Sequence, residues 1–280
     1  AYLQDLEQIV NIDSGSKFPR GTAKIADFFQ DKFTTIGWKV ETIQGDPPVG
    51  PCLRISNHDQ DYHDILLLGH MDTVFGEGTT AKWPFSIKEN KAYGPGVADM
   101  KAGLLYIYYV LDMLTREGKL ANVNVCAVLN SDEEISSRFS RALLEETARK
   151  SKHVLVLEPA RANGNLVHTR KGIGRYTLEI TGVASHAGVD HEKGCSAIQE
   201  LSHWIQFLHG LTNYEQGTTV NVGLVAGGTG ANVVAERAMA EIDMRICTTA
   251  EADRIEGLMR EFASQPKTPG VSVRVTGGVA

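Results

Sequence analysis

Cysteine is rare in the sequence, and long apolar runs and an excess of basic residues are missing from it. Four of the 280 residues are cysteine, and no two of them form a C-x-x-C pair. We expect free thiols in a reducing, cytoplasmic location, because a chain of this length buries a core without disulfides. The longest apolar run, residues 104–111, is far shorter than the ~20 residues that cross a bilayer, so no membrane segment is expected. The net charge of −6 argues against a general nucleic-acid binder.

What the sequence does contain is typical of a folded protein with two domains. Hydrophobic residues make up 42% of the chain and charged residues 22%, which excludes wholesale disorder. A chain of 280 residues is long for one hydrophobic core. Because the hydrophobic pattern changes near residue 171, we predict one domain over 1–170 and a second over 171–280.

The first predicted domain alternates helical and strand patterns. Apolar runs at 65–69, 123–130 and 153–158 predict buried strands. Residues 100–117 are apolar almost all round and predict a buried helix. Continuous apolar strands separated by helices indicate an α/β fold, with a mostly parallel sheet covered by helices.

The second predicted domain has a different order of elements. Alternating patterns predict strands at 175–184, 218–228, 237–246 and 271–277. A helical stripe covers 195–210, and Thr248 with Glu251 forms a capping-box pattern that opens a second helix ending near Ser264. The resulting β-α-β-β-α-β order is the ferredoxin-like α+β arrangement.

Residues that can bind metal follow each apolar strand of the first domain. They are His70 and Asp72, then Asp132, Glu133 and Glu134, then Glu158. Ligands of open α/β sheets bind outside the carboxyl ends of the strands, so these side chains converge if the strands are neighbours. Asp99 joins them from a Gly/Pro-rich loop that precedes the buried helix.

One imidazole with several carboxylates suits Zn²⁺, with Mn²⁺ or Co²⁺ as substitutes. Five carboxylates in one pocket would repel one another, and two divalent cations would offset most of that charge; the five are Asp72, Asp99, Glu133, Glu134 and Glu158. We therefore expect two ions.

Each motif also has an interpretation without a metal: a packed histidine, a solvated acidic turn, or a helix cap at Glu158 before Pro159. The coincidence of all of them at strand ends favours the metal site.

The amino-acid sequence of these segments resembles that of a known family. The segments GHMDTVFGEG, AYGPGVADMKAG, NSDEEIS, LEPA and GVASHAG resemble zinc-dependent exopeptidases and amidohydrolases typified by glutamate carboxypeptidase. Aminoacylase, acetylornithine deacetylase and succinyl-diaminopimelate desuccinylase belong to the same family. The resemblance implies that 1–170 is the N-terminal part of a catalytic metallopeptidase domain, and that 171–280 is an inserted lid that also dimerises.

The resemblance also implies a role for each acid. His70, Asp99, Glu134 and Glu158 would be metal ligands, with Asp99 bridging the two ions and followed by a non-proline cis peptide. Asp72 would orient the His70 ring. Glu133 would be the general base that takes a proton from the attacking water.

Three residues of the second domain match substrate-binding positions of the family. His186 would reach the active site of the partner subunit in a homodimer and stabilise the oxyanion. Asn232 and Arg245 would bind the region of the substrate carboxylate. Arg245 has an alternative interpretation, because Glu241 and Asp243 share its face of one strand and could simply pair with it.

The sequence departs from the family pattern in two places. Ser136 follows Ile135 where the family usually has glycine, so we expect that this turn could be shifted. The family also supplies a further histidine ligand and a Gly-rich substrate loop from a C-terminal segment of the catalytic domain. We expect the present chain to lack that segment and to be inactive by itself.

The function implied by these residues is metal-dependent hydrolysis of an amide bond. The enzyme would release a C-terminal amino acid, glutamate, from a small peptide or N-acyl substrate. An N-acyl amino acid deacylase of the same chemistry is the nearest alternative. A catalytically inactive, metal-binding dimerisation fragment is another, and a dinuclear phosphoesterase is disfavoured because the extra histidines of such sites are missing.

Overall fold

A computed structural model describes residues 1–45 and 49–279. The chain divides into two compact units, Ala1–Leu166 and Val167–Ala280. No helix in the described ranges is long and apolar enough to cross a membrane.

The first unit contains helices and strands in alternation. Its helices are α1 (Tyr2–Val10), α2 (Pro19–Thr35), α3 (Thr79–Lys82), α4 (Ala102–Arg116) and α5 (Arg141–Arg149). Its strands are β1 (Lys39–Ile43), β2 (Cys52–Ser56), β3 (His63–His70), β4 (Ser86–Lys88), β5 (Lys91–Tyr93), β6 (Val125–Asn130) and β7 (Ser151–Val156).

The main sheet of this unit brings the predicted strand ends together. Among the described residues its strand order is β1-β2-β6-β3-β7. Strand β3 is parallel to both neighbours, with Leu67 opposite Ala127 of β6 and Leu155 of β7. Strand β2 is antiparallel to β6 and to β1. The carboxyl ends of β3, β6 and β7 therefore lie at one edge, and the predicted α/β class is confirmed.

The core of the first unit lies between the sheet and the helices. Helices α1, α2 and α4 pack their apolar stripes on one face, including Ile9, Phe29 and Leu104, which are fully buried. Leu143 and Leu144 of α5 contact a smaller cluster on strands β3 and β6. Each fully buried side chain of this size contributes about 1.5–3 kcal/mol through removal of apolar surface from water.

Two segments that the sequence predicts as buried are partly exposed. Val154, Leu155 and Val156 of β7 are 42%, 52% and 57% exposed. Within the described residues β7 is the last strand of the sheet, so one side of it has no neighbouring strand. Helix α4 buries Leu104 and its neighbours but exposes the face that carries Tyr106, Val110 and Met113. Apolar composition predicted these elements but not which of their faces are covered.

The second unit has the predicted β-α-β-β-α-β order. Its elements are β8 (Gly172–Thr181), α6 (Ala197–Gly210), β9 (Thr219–Gly227), β10 (Arg237–Ile246), α7 (Thr249–Ser264) and β11 (Ser272–Val279). The antiparallel sheet has the order β11-β8-β10-β9, and both helices pack on one face of it. Thr248 caps α7 as predicted, since its hydroxyl accepts a hydrogen bond from the Glu251 N–H.

Candidate metal centre

His70 is the last residue of β3, and its ring is buried and held on both sides. Nδ1 lies 3.0 Å from the main-chain oxygen of Asp72. Because a carbonyl oxygen only accepts, Nδ1 carries the hydrogen and the lone pair of the neutral ring is on Nε2. Nε2 lies 3.0 Å from Asp99 Oδ1 and 3.2 Å from Glu158 Oε1. The nitrogen available for a metal therefore points at two carboxylates.

Asp72 is completely buried, and its carboxylate connects three loops. Oδ2 accepts hydrogen bonds from the Ser16 hydroxyl at 2.7 Å and from the Glu134 N–H at 3.2 Å. Oδ1 accepts one from the Glu133 N–H at 3.2 Å and lies 3.4 Å from His70 Nδ1. Asp72 thus positions the main chain of both glutamates in addition to holding the His70 ring.

The two glutamates lie in a short 3₁₀ turn, Glu133–Ile135, directly after β6. Asp132 fixes the end of this turn, because its carboxylate accepts hydrogen bonds from the N–H groups of Phe139 and Ser140. Ser136 closes the turn with φ +73°, in the left-handed region that favours glycine. The turn therefore has the backbone conformation that glycine favours, although serine occupies the position. The adjacent side chains of Glu133 and Glu134 belong to different groups of possible metal ligands.

Asp99 approaches the same point from the loop before α4. Its peptide bond to Met100 is cis, as the resemblance implies. The Asp99 side chain is 59% exposed, whereas His70 beside it is 1% exposed. The Met100 sulfur accepts a hydrogen bond from the His70 N–H at 3.1 Å, which ties this loop to the end of β3.

The donor atoms form two overlapping groups that share His70. One group is His70, Asp99 and Glu134, and the other is His70, Glu133 and Glu158. In each group the ligand atoms lie within 4.8 Å of one another. One imidazole nitrogen with carboxylate oxygens is a donor set that suits Zn²⁺, Mn²⁺ or Co²⁺, so these residues fit the expected metal.

The electrostatics of the cluster also fit a cation. Burial raises the pKa of Glu133, and repulsion from Glu158 adds to the shift against the pull of His70. Burial and then the Asp99 charge raise the pKa of Glu134 to about 7. Burial lowers the pKa of His70, but its contacts with Asp72 and Glu158 outweigh it and raise the value to about 11. Burial is the larger cause of the raised pKa of both glutamates, and the negative charge of neighbouring carboxylates contributes to the raised pKa of all three residues.

Sequence reasoning missed three residues that support this site. Ser16 donates to Asp72, and Asp13 accepts hydrogen bonds from the N–H groups of Gly78 and Thr80. Lys101 is 1% exposed, and its ammonium donates to the Ile12 carbonyl at 2.9 Å. Burial lowers the pKa of Lys101 to about 7, against the attraction of Asp13. The polar run that carries Asp13 and Ser16 indicates only a loop, and nothing in it signals these partners.

In the second unit the loops of His186 and Asn232 are neighbours. The Ala187 N–H donates to the Asn232 main-chain oxygen at 2.9 Å, and His186 forms a β-bridge with Val233. Both predicted side chains are exposed. Nδ1 of His186 accepts a hydrogen bond from the Gly188 N–H at 3.1 Å. In the neutral ring, Nε2 therefore carries the hydrogen.

Arg245 is paired within its own strand. Its Nε and Nη2 donate to the two Asp243 carboxylate oxygens at 2.7 and 3.0 Å. This pairing is the one that the alternative interpretation of Arg245 expects. A role in binding the substrate carboxylate stays a prediction.

A cluster of one imidazole and several carboxylates at the carboxyl ends of parallel strands is typical of a metal-dependent α/β hydrolase. Comparison with known proteins identifies the family within this class. Residues 66–267 match the model of Peptidase family M20/M25/M40. The chain belongs to this family, which confirms the resemblance seen in the sequence and makes it a peptidase or amidohydrolase of that kind.

The relatives differ in what their names say they act on. Carboxypeptidase G2 of Pseudomonas sp. (strain RS-16) is 30% identical over 98% of this chain and 67% of its own length. Acetylornithine deacetylase of Vibrio campbellii (strain ATCC BAA-1116) is 27% identical over 93% of this chain and 72% of its own. Among solved structures, the aminopeptidase PepT from Bacillus cereus ATCC 10987 has a TM-score of 0.80 at 25% identity, covering 99% of this chain and 76% of that one.

Proposed function

We propose that the protein hydrolyses an amide bond and releases a C-terminal amino acid, glutamate, from a small peptide or N-acyl substrate. The observation that carries this proposal is the pair of donor groups that share His70, one of which includes Glu133. The similarity to carboxypeptidase G2 supports release of a C-terminal residue.

The metal of this proposal is zinc, with two ions per subunit and Mn²⁺ or Co²⁺ as substitutes. His70, Asp99, Glu134 and Glu158 would hold them, and the further histidine ligand that the resemblance implies stays a prediction. Bound zinc would polarise the scissile carbonyl and make a water molecule more acidic. The contacts of Nε2 with Asp99 and Glu158 support the assignment of these ligands.

Glu133 is the general base in this proposal. Its N–H is fixed by Asp72, its side chain belongs to the same donor group as Glu158, and burial raises its pKa. The carboxylate takes a proton from the attacking water and then gives it to the nitrogen of the leaving amino acid. Asp72 holds the His70 ring in one orientation throughout.

The second unit supplies the remaining groups. The exposed Nε2–H of His186 donates to the oxyanion in the active site of the partner subunit, and Asn232 and Arg245 bind the substrate carboxylate. This role makes 171–280 a lid that also forms a homodimer, and 1–170 the catalytic domain. The hydrogen bond that orients the His186 ring and the proximity of the Asn232 loop support it.

A second candidate function is removal of the acyl group from an N-acyl amino acid, which the similarity to acetylornithine deacetylase favours. Incubation of the zinc-loaded protein with a dipeptide that ends in glutamate and with N-acetylornithine separates the two. Faster release of glutamate supports the carboxypeptidase proposal, and faster release of ornithine supports the deacylase. Release of neither amino acid would favour the inactive metal-binding protein.

A further inference from the structure

Lys101 is a buried lysine that the proposed reaction does not use. It lies directly before α4, two residues after the proposed ligand Asp99, and is 1% exposed. Its side chain passes Gly96, where an added Cβ would lie 3.4 Å from Lys101 Cδ. Among the described residues its ammonium donates one hydrogen bond, to the Ile12 carbonyl at 2.9 Å. The side chain therefore extends from the Asp99 loop to the segment that follows α1.

A charge at this position is costly for the fold. Removal of an ammonium from water is unfavourable, and the Ile12 carbonyl and the attraction of Asp13 offset only part of that cost. A methionine of similar length would fill most of the same space without it. The place of Lys101 beside the metal centre points to a role in the geometry of that centre.

The segment that Lys101 contacts leads directly to Asp72. Ile12 is followed by Ser16, whose N–H donates to the Thr73 oxygen at 3.3 Å. The Ser16 hydroxyl donates to the Asp72 carboxylate at 2.7 Å. Asp72 in turn accepts hydrogen bonds from the turn that carries the two glutamates. A displacement of residues 12–16 would therefore reach Asp72 through Ser16.

The main chain of Lys101 belongs to the loop that carries Asp99. Its N–H donates to the Gly96 oxygen at 2.9 Å. Gly96 has φ +72°, and an added Cβ there would come within 2.6 Å of the Thr73 methyl group. The Asp99 loop thus packs against the residue that follows Asp72. Lys101 connects this loop, through its side chain, with the segment that holds Asp72.

We propose that Lys101 is a positioning residue of the metal centre. Its ammonium holds the Asp99 loop against residues 12–16, and so fixes the distance between Asp99 and the groups that Asp72 positions. In this role Lys101 contacts neither metal nor substrate. The inference rests on the metal centre of the proposed function, but zinc affinity can be measured without turnover.

Zinc titration of the metal-free protein tests this role in Lys101→Met, which removes the ammonium and keeps a side chain of similar length. Zinc affinity should fall about tenfold, because Asp99 would no longer be held at a fixed distance from the other ligands. Lys119→Met is the matched control, since the Lys119 side chain is 64% exposed and pairs with Glu117. It should bind zinc as the wild type does. Equal zinc affinity of Lys101→Met and the wild type would overturn the inference.

Lys101→Gln is the second variant, to be titrated if Lys101→Met does not fold. Its amide is uncharged and ends one atom short of the position of the ammonium, so the same loss of zinc affinity is expected. Unchanged zinc binding by folded Lys101→Gln would also overturn the inference.

A double-mutant cycle with Ser16→Ala tests the route of the effect. Ser16→Ala removes the hydrogen bond between residues 12–16 and Asp72. If Lys101 acts through this segment, Ser16→Ala should weaken zinc binding less in Lys101→Met than in the wild type, because the segment is already released. General loosening of the fold would give additive losses, and that result would contradict the positioning role.

Zinc affinity also separates failure of this role from failure of the proposed function. If the wild type binds zinc and hydrolyses no amide, while Lys101→Met binds zinc about tenfold more weakly, the function fails and the positioning role stands. If the wild type hydrolyses an amide and Lys101→Met binds zinc equally well, the function stands and the positioning role is wrong.

Discussion

The Asp72 carboxylate accepts a hydrogen bond from the main-chain N–H of Glu133 at 3.2 Å, across 61 residues of sequence. The other oxygen of Asp72 accepts from the next N–H, that of Glu134. One buried carboxylate therefore connects the end of β3, which carries His70, with the turn that carries the proposed base and a proposed ligand. Disturbing Asp72 should affect both halves of the metal centre.

Replacing Asp72 by Asn should weaken zinc binding by about 10–100-fold and reduce kcat by a similar factor, because the amide nitrogen would face the N–H donors of the turn. Zinc titration and steady-state kinetics measure the two effects. Ser16→Ala is the control, since it removes one hydrogen bond to Asp72 and leaves the carboxylate in place. It should have a smaller effect in both assays. Equal effects of the two variants would contradict the role given to Asp72.

Replacing Glu133 by Gln should lower kcat by at least ~10²-fold with little change in zinc content, because the substitution removes the base and keeps the size of the side chain. Glu134→Gln is the matched variant and should lose zinc. Metal analysis of the purified variants, alongside their kinetics, distinguishes them. Loss of zinc from Glu133→Gln instead would show that the two adjacent glutamates have exchanged roles.

The proposed action of His186 across a dimer can be tested by mixing inactive variants. A His186→Ala subunit keeps its metal site and base, and a Glu133→Gln subunit keeps its histidine. Their heterodimer should therefore recover part of the wild-type kcat after subunit exchange. Failure to recover activity, with exchange verified by mass spectrometry, would place His186 outside the partner's site.

Replacing Ser136 by Gly should raise the free energy of unfolding by about 1 kcal/mol, because a left-handed backbone costs a residue with a Cβ roughly 1–2 kcal/mol. Ser136 has φ +73°. Ser202→Gly, in the middle of α6, is the control and should lower the free energy by about 0.5–1 kcal/mol. Chemical denaturation measures both changes. A loss of stability in Ser136→Gly would mean that the turn does not require this conformation.

The proximity of the candidate metal ligands was largely predictable because strand direction fixes where strand ends meet. Apolar runs before His70 and Glu158 predicted strands of a mostly parallel sheet, and the structure places these two strands side by side and parallel. The contacts of Asp72 with the glutamate turn depend on loop geometry that no periodicity describes. The exposure of Val156 could not be predicted either, because an apolar sequence pattern does not show which other elements pack on that strand. Arg245 could pair with Asp243 or bind substrate from its position on β10, and the sequence could not choose.

The central claim is that His70, which belongs to both groups of possible metal ligands, binds a metal ion through Nε2. Calorimetric titration of zinc into the metal-free wild-type protein and into His70→Ala tests it most directly, with circular dichroism to verify that both are folded. The account predicts tight zinc binding by the wild type and binding at least about 100-fold weaker in His70→Ala, since the ion held by Nε2 loses its imidazole ligand. Zinc binding of equal affinity in the two proteins would contradict it.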